Sequence, residues 1–259
     1  MPFTSIEFIL AVFLIFVRVG AVVMTAPFFS ASIFPVRVKL FFALFLSIML
    51  FPIVPASTPV LQPDSGGVFV LTAILIEVLT GVAIGLSGQI VFAGLHLAGQ
   101  LISIQIVLGF AQVVDNTSQT QSGIVTSILN TLAILVFLSM GGDKVFINAI
   151  ARSFEVIPLT MASVEMVGPF FLNMATYMFM IGVQITTPFM IVLFLLDLSF
   201  AIFARIMPQA NIFFIAMPIK VGVGLIILNL LMPYLPLAFD TMFIRLFDYI
   251  AELLGVMAG

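Results

Sequence analysis

LTGVAIGLSGQIVFAGLHLAGQLISIQIVLGFA, residues 79–111, contains no Asp, Glu, Lys, Arg or Pro and sets Gly81, Gly85, Gly88, Gly94 and Gly99 among Val, Ile, Leu and Ala. In lipid such a stretch must satisfy its own backbone hydrogen bonds, and its unbroken length favours helix over the short alternating strands of a membrane barrel. It reads either as one long helix or as a hairpin turning near Gly94. Gly81 and Gly85 form a small-x-x-x-small pair, Gly85 and Gln89 extend the same face, and His96 with Gln100 repeats the spacing further on. That face suits close helix packing first, with a wall turned towards water or another subunit as the alternative.

The rest of the chain has the same character. Of 259 residues, 63% are hydrophobic and 7% are charged, where an ordinary soluble domain carries about 25% charge. Crossing a hydrocarbon core takes roughly 20 helical residues. Apolar runs of about that order lie at 6–26, 38–54, 68–93, 124–141, 171–196, 212–232 and 237–257, so the expectation is an all-α polytopic membrane protein with six or seven spans. Glu7 and the lack of a basic start lead to the expectation that the first run is a retained helix and not a signal peptide. Arg37 and Lys39 beside the first connection, against Asp64 in the second, favour a cytoplasmic first connection.

Composition also excludes functions. With no cysteine there is neither a disulfide nor a thiolate metal site. A formal charge of −3, thinly spread, does not suit nucleic acid. There is no phosphate-cradling loop, no cluster of metal ligands and no nucleophile beside a plausible base, so neither an enzyme nor a cofactor is expected. His96 is the lone histidine and reads as a polar helix contact.

Five charges need an explanation: Arg18, Glu77, Asp197, Arg205 and Lys220 all lie within or beside long apolar runs. An ionised group at the middle of a lipid-facing helix costs about 2.5–3.5 kcal/mol, so some of them must face protein or water. Arg18 with Glu77 is a candidate interhelical pair. Asp197 and Arg205 are eight apart and only roughly on one side, whereas the long stems of Arg205 and Lys220 suit anchoring at a membrane edge.

Two further segments break the apolar pattern. LGFAQVVDNTSQTQSG, residues 108–123, is a polar loop between membrane segments. DKVFINAIARSFEV, residues 143–156, reads as an amphipathic helix with Lys144, Ile147, Ala151 and Phe154 on one side. Pro188, Pro208, Pro218, Pro233 and Pro236 mark bends or breaks in the last third.

Four blocks in order carry a family resemblance: RVGAVVMTAPFFSASIFPVRVK at 18–39, EVLTGVAIGLSGQIVFAGLHLAGQLISIQIVLGFAQVVDN at 77–116, FLSMGGDKVFINAIARSF at 137–154 and ARIMPQANIFFIAMPIKVGVG at 204–224. Together they resemble the FliR family of flagellar export-gate proteins, which includes the corresponding component of injectisome-type virulence secretion systems. The resemblance implies a single export-gate domain over 1–259, built of tilted helical hairpins, in which a FliP-like portion, about 1–200, is fused to a FliQ-like portion, about 201–259. It implies FliP, FliQ, FlhB, unfolded flagellar proteins and membrane lipids as partners, and a place in the bacterial inner membrane at the flagellar basal body. Some apolar runs would then be covered by neighbouring subunits instead of lipid.

The same resemblance assigns roles to residues. Gly109, Phe110, Gln112, Asp115, Asn116, Ser118, Gln119, Gln121 and Ser122 would form a gate or plug loop, with Asp115-Asn116 standing where many relatives carry an Asp-Pro pair. His96, Gln100 and Gln105 would make inner polar contacts. Arg18, Arg37, Lys39, Arg205 and Lys220 would make subunit or lipid-headgroup contacts, while the residues themselves mark Arg18, Glu77, Asp197, Arg205 and Lys220 as candidates for charge pairs or subunit contacts. Two other readings remain open at this point: a secondary transporter of a small solute, whose broken helices and embedded charges coordinate substrate, and a purely structural membrane subunit.

Overall fold

A computed structural model describes residues 5–27, 29, 34–54, 67–106, 123–209 and 211–259, and the described residues fold as helices joined by short connections. In chain order these are α1 (Ser5–Thr25), α2 (Val36–Leu50) with a 3-10 turn (Phe51–Ile53), α3 (Gly67–Gln105), α4 (Ile124–Ser139), α5 (Gly142–Val156), α6 (Val167–Ile206), α7 (Ile212–Leu231) and α8 (Leu235–Ala258).

Helix α3 is continuous for 39 residues, which decides between the two readings of the 79–111 stretch. Gly94 is a crossing point and not a turn: a Cβ there would lie 2.8 Å from the Met178 carbonyl oxygen on α6, and one on Gly182 would lie 2.7 Å from the Gly94 oxygen. Absent side chains let the two backbones touch, the usual device of closely packed membrane helices. Helix α6 likewise continues for 40 residues with Pro188 inside it.

Among the described residues five helices are long and apolar enough to cross a membrane: α1, α2 with its turn, α3, α6 and α7. Helices α4 and α5 pass that test only together, which would bring the number to six. The run at 237–257 is helical but is not among these candidates. On α8, Phe239, Met242, Phe243, Leu246, Ile250 and Leu253 are buried, while Asp240, Arg245, Asp248 and Glu252 interrupt the apolar sequence. It is an amphipathic helix, whose stripe of buried side chains recurs every three to four residues. The fold is thus all-α and that of a multi-pass membrane protein.

The chain forms two compact units, each discontinuous in sequence: Met1–Val91, Gly141–Ala175 and Phe243–Gly259 in one, Phe92–Met140 and Thr176–Met242 in the other. In the first, α3 packs on α1 through Gly81 and Gly85, where a Cβ would collide with the Arg18 carbonyl and the Thr25 hydroxyl, and Gly88 sits against Pro27 and Phe146. Helix α5 buries Phe146, Ala149, Ile150, Ser153 and Phe154. Of the side expected from sequence only Phe154 is buried, because Lys144 is exposed and the buried stripe is rotated towards Ala149 and Ile150. The Ser163 amide donates to the Met257 carbonyl at 2.8 Å and ties the connection after α5 to the end of α8.

In the second unit, Gly99 of α3 lies against Thr126 of α4, and Gly224 of α7 against Ile106. Phe92 and Phe137 meet edge to face at 5.8 Å. Gly94 and Gly99 of α3 therefore serve packing.

Candidate functional site

The chemistry-bearing centre of the first unit is Arg18. It sits in the second half of α1, fully buried together with Glu77 of α3. Its Nε donates to Glu77 Oε2 at 2.5 Å and its Nη2 to Glu77 Oε1 at 3.1 Å, a two-pronged grip that matches the planar guanidinium to the carboxylate. Nη1 donates to the Ser153 carbonyl at 3.0 Å, the Ser153 hydroxyl oxygen at 3.3 Å and the Ile157 carbonyl at 3.0 Å. Those two carbonyls belong to the last turn and C-cap of α5, the negative end of its dipole, where a cation is favourable. The guanidinium carbon also lies 4.4 Å from the Phe154 ring centroid, in range for a cation–π contact.

Glu77 has a second duty. Its Oε1 accepts the Thr160 amide hydrogen at 2.8 Å. Thr160 is the one non-glycine residue with positive φ, at 70°, among the described residues, a conformation unfavourable for a β-branched side chain. One ion pair thus joins α1, α3, the end of α5 and the turn beyond it. Ser153 and Thr160 could not be foreseen as its partners: no spacing in the sequence connects residues 135 and 83 positions apart.

In the second unit, Asp197 of α6 pairs with Lys220 of α7, their side chains 44% and 16% exposed. The sequence had weighed Asp197 against Arg205; the fold brings Asp197 to the next helix instead. Arg205 is exposed in the last turn of α6, a favourable end of the helix dipole for a cation.

His96 lies on the face of α3 that meets α4. Its Nε2 is 3.1 Å from Gln100 Nε2 and its Nδ1 is 3.4 Å from Asn130 Nδ2. Either ring nitrogen can donate or accept, and the amide orientation follows whichever tautomer is present. Asn130 was not singled out from sequence, although Thr126 and Asn130 stand one turn apart on α4 and so on one face. The Thr126 hydroxyl oxygen and the Asn130 amide oxygen are buried without a hydrogen-bond partner. Gln100 is exposed and Gln105, the last residue of α3, is half-buried. The candidate plug residues, Gly109, Phe110, Gln112, Asp115, Asn116, Ser118, Gln119, Gln121 and Ser122, lie outside the described residues.

Among the described residues no group of three or more His, Cys, Asp or Glu is placed to hold a metal ion. The arrangement is one of buried and half-buried charge pairs between long apolar helices, which defines a polytopic membrane protein held together by polar contacts within its helical core. The chain belongs to the family of bacterial export proteins, family 1, whose sequence model matches residues 9–246.

Its relatives are similar over most of their length. The flagellar biosynthetic protein FliR of Pectobacterium carotovorum subsp. carotovorum is 32% identical over 247 residues, covering 94% of this chain and 92% of that one. FliR of Aquifex aeolicus is 30% identical, with 96% of each chain covered. FliR of Caulobacter vibrioides is 33% identical over 218 residues, covering 84% of this chain and 86% of the other.

Proposed function

We propose that the chain is a non-enzymatic subunit of the flagellar type III protein export gate, helping to form and close the channel through which unfolded flagellar subunits pass. The observation that carries the reading is similarity to FliR proteins along nearly the whole chain, 94% of it in one case and 96% in another. It works with FliP and FliQ, with FlhB nearby, in the inner membrane at the flagellar basal body. Its first 200 or so residues play the part of a FliP-like unit and residues from about 201 that of a FliQ-like one. The polar segment 109–122 plugs the lumen, and His96, Gln100 and Gln105 face inward. No chemistry is asked of this chain; energy comes from the wider export machinery.

A physical feature agrees with an assembled state. Helices α6 and α7 carry Phe194, Leu195, Leu198, Ile202, Phe203, Phe214, Ile215 and Leu230 on their exposed sides, with a half-exposed Asp197 among them. Lipid alone is a poor cover for a surface that includes the partly exposed Asp197–Lys220 pair.

The test is twofold. The chain should co-purify with FliP and FliQ, and photo-crosslinkers placed at 109–122 should capture an arrested export substrate. Cross-links confined to the outer rim would sink the plug assignment. Robust uptake of a small solute by the purified chain alone in vesicles would replace the gate reading with that of a transporter.

A further inference from the structure

Within the second unit, the half-buried ring of His96 stands between two side-chain amides. Asn130 of α4, whose side-chain oxygen is buried, brings its Nδ2 to 3.4 Å from the ring Nδ1. Gln100 of α3, which is exposed, brings its Nε2 to 3.1 Å from the ring Nε2. Two amide nitrogens thus face two ring nitrogens. A neutral imidazole has one N–H and one lone pair, so it can accept from only one of them. The other amide must turn its oxygen to the ring N–H.

Burial decides which one turns. Asn130 Oδ1 already lacks a hydrogen-bond partner. Turning that amide would put two N–H donors where one oxygen now sits, and buried donors left unmet are costly. Thr126 Oγ1, one turn earlier on α4, is itself unpartnered and so does not bond to Asn130. Gln100, at the exposed side, turns freely. Asn130 therefore keeps Nδ2 on the ring Nδ1, the ring proton sits on Nε2, and Gln100 accepts it through Oε1. Neither α4 nor the rest of α3 within this unit carries a charged or titratable side chain that could impose another proton position.

We infer that Asn130 is a positioning residue: by donating to His96 Nδ1 it fixes the ring proton on Nε2 and turns Gln100 so that the exposed edge of α3 presents amide N–H donors. The matching chemistry is that of backbone carbonyl oxygens, which an extended polypeptide carries whatever its side chains. That last step rests on the proposed inward placement of His96 and Gln100; the hold of Asn130 on His96 does not.

The experiment uses the full, tag-free chain in nanodiscs, with heavy-nitrogen histidine read by NMR at a pH where the ring is neutral. His96 is the sole histidine, so both ring signals belong to it. Wild type should show a proton-free Nδ1 and a proton-bearing Nε2. Asn130→Asp replaces the donor by an acceptor, so Nδ1 should become proton-bearing. If that variant misfolds, Asn130→Leu should give a mixture of the two tautomers. In cells, a photo-crosslinker at Ile104, exposed one turn beyond Gln100, should capture an arrested export substrate about fivefold less when Asn130→Asp is present, the factor for one hydrogen bond. A proton on Nδ1 in wild type, or a tautomer indifferent to the substitutions, overturns the proposal, as does capture that stays unchanged when the tautomer inverts. Absence of capture in wild type, together with the expected NMR result, overturns the inward placement and leaves the hold of Asn130 on His96 established.

Discussion

Arg18 and Glu77, 59 residues apart in sequence, are joined by two hydrogen bonds at 2.5 and 3.1 Å where neither side chain reaches solvent. The pair is an expensive structure to build, because each ion has lost its hydration, and its stability depends on every remaining donor and acceptor being occupied. Arg18 meets that demand by closing the end of α5, and Glu77 by holding the Thr160 amide.

Removing either partner alone should therefore be severe. Arg18→Ala or Glu77→Ala should each cost about 3–5 kcal/mol, seen as loss of monodisperse protein on size exclusion and a lower melting midpoint. Arg18→Met with Glu77→Leu should recover much of that loss. Arg18→Lys should fall short of wild type, since an ammonium cannot span two carboxylate oxygens and the α5 carbonyls together. A double variant as unstable as the singles would show that the pair's role is not mutual neutralisation.

The strained turn should respond with the opposite sign. Thr160→Gly keeps the amide that Glu77 holds and relieves a positive φ, so a gain of up to about 1 kcal/mol is expected. Thr160→Pro removes that amide and cannot adopt φ of 70°; it should be strongly destabilising. Equal behaviour of the two variants in thermal melting would refute the account of this turn.

Helix crossings supply a contrast between glycines. Gly94→Ala or Gly182→Ala drives a methyl to within 2.8 or 2.7 Å of a facing carbonyl, and since backbone cannot step aside cheaply, both should destabilise. Gly20→Ala on α1 meets nothing within 4 Å and should stabilise by up to about 1 kcal/mol through helix propensity. Melting of the three variants in the same detergent tests the contrast.

For Asp197 and Lys220, partial exposure sets a smaller scale. In detergent, a double-mutant cycle with Asp197→Asn and Lys220→Gln should give a coupling of about 0.2–1 kcal/mol. The same cycle with Arg205→Gln in place of Lys220→Gln should give none. Coupling of Asp197 to Arg205 that equals its coupling to Lys220 would contradict the observed pairing.

Much of the candidate site was legible before the fold. Ionised residues inside apolar runs demand partners wherever they occur, so Arg18 and Glu77 could be singled out without coordinates. Asp197 was equally visible, but its partner was not: periodicity relates residues along one helix, and Lys220 comes from the next. Asn130 and Ser153 are ordinary polar residues on helices and gain meaning only from what crosses them.

The amino-acid sequence by itself determined that this protein is a helical, multi-pass membrane chain with polar contacts in its interior, because lipid imposes a length and a hydrogen-bonding rule that composition alone can be read against. Tertiary structure decided the rest. Gly94 could have been a hinge or a contact, and only the approach of the Met178 carbonyl makes it a contact. The run at 237–257 could have been a span, and only its packing shows one buried side. A glycine or a leucine has the same local propensity in either setting, so the choice falls to whichever neighbour the fold brings against it.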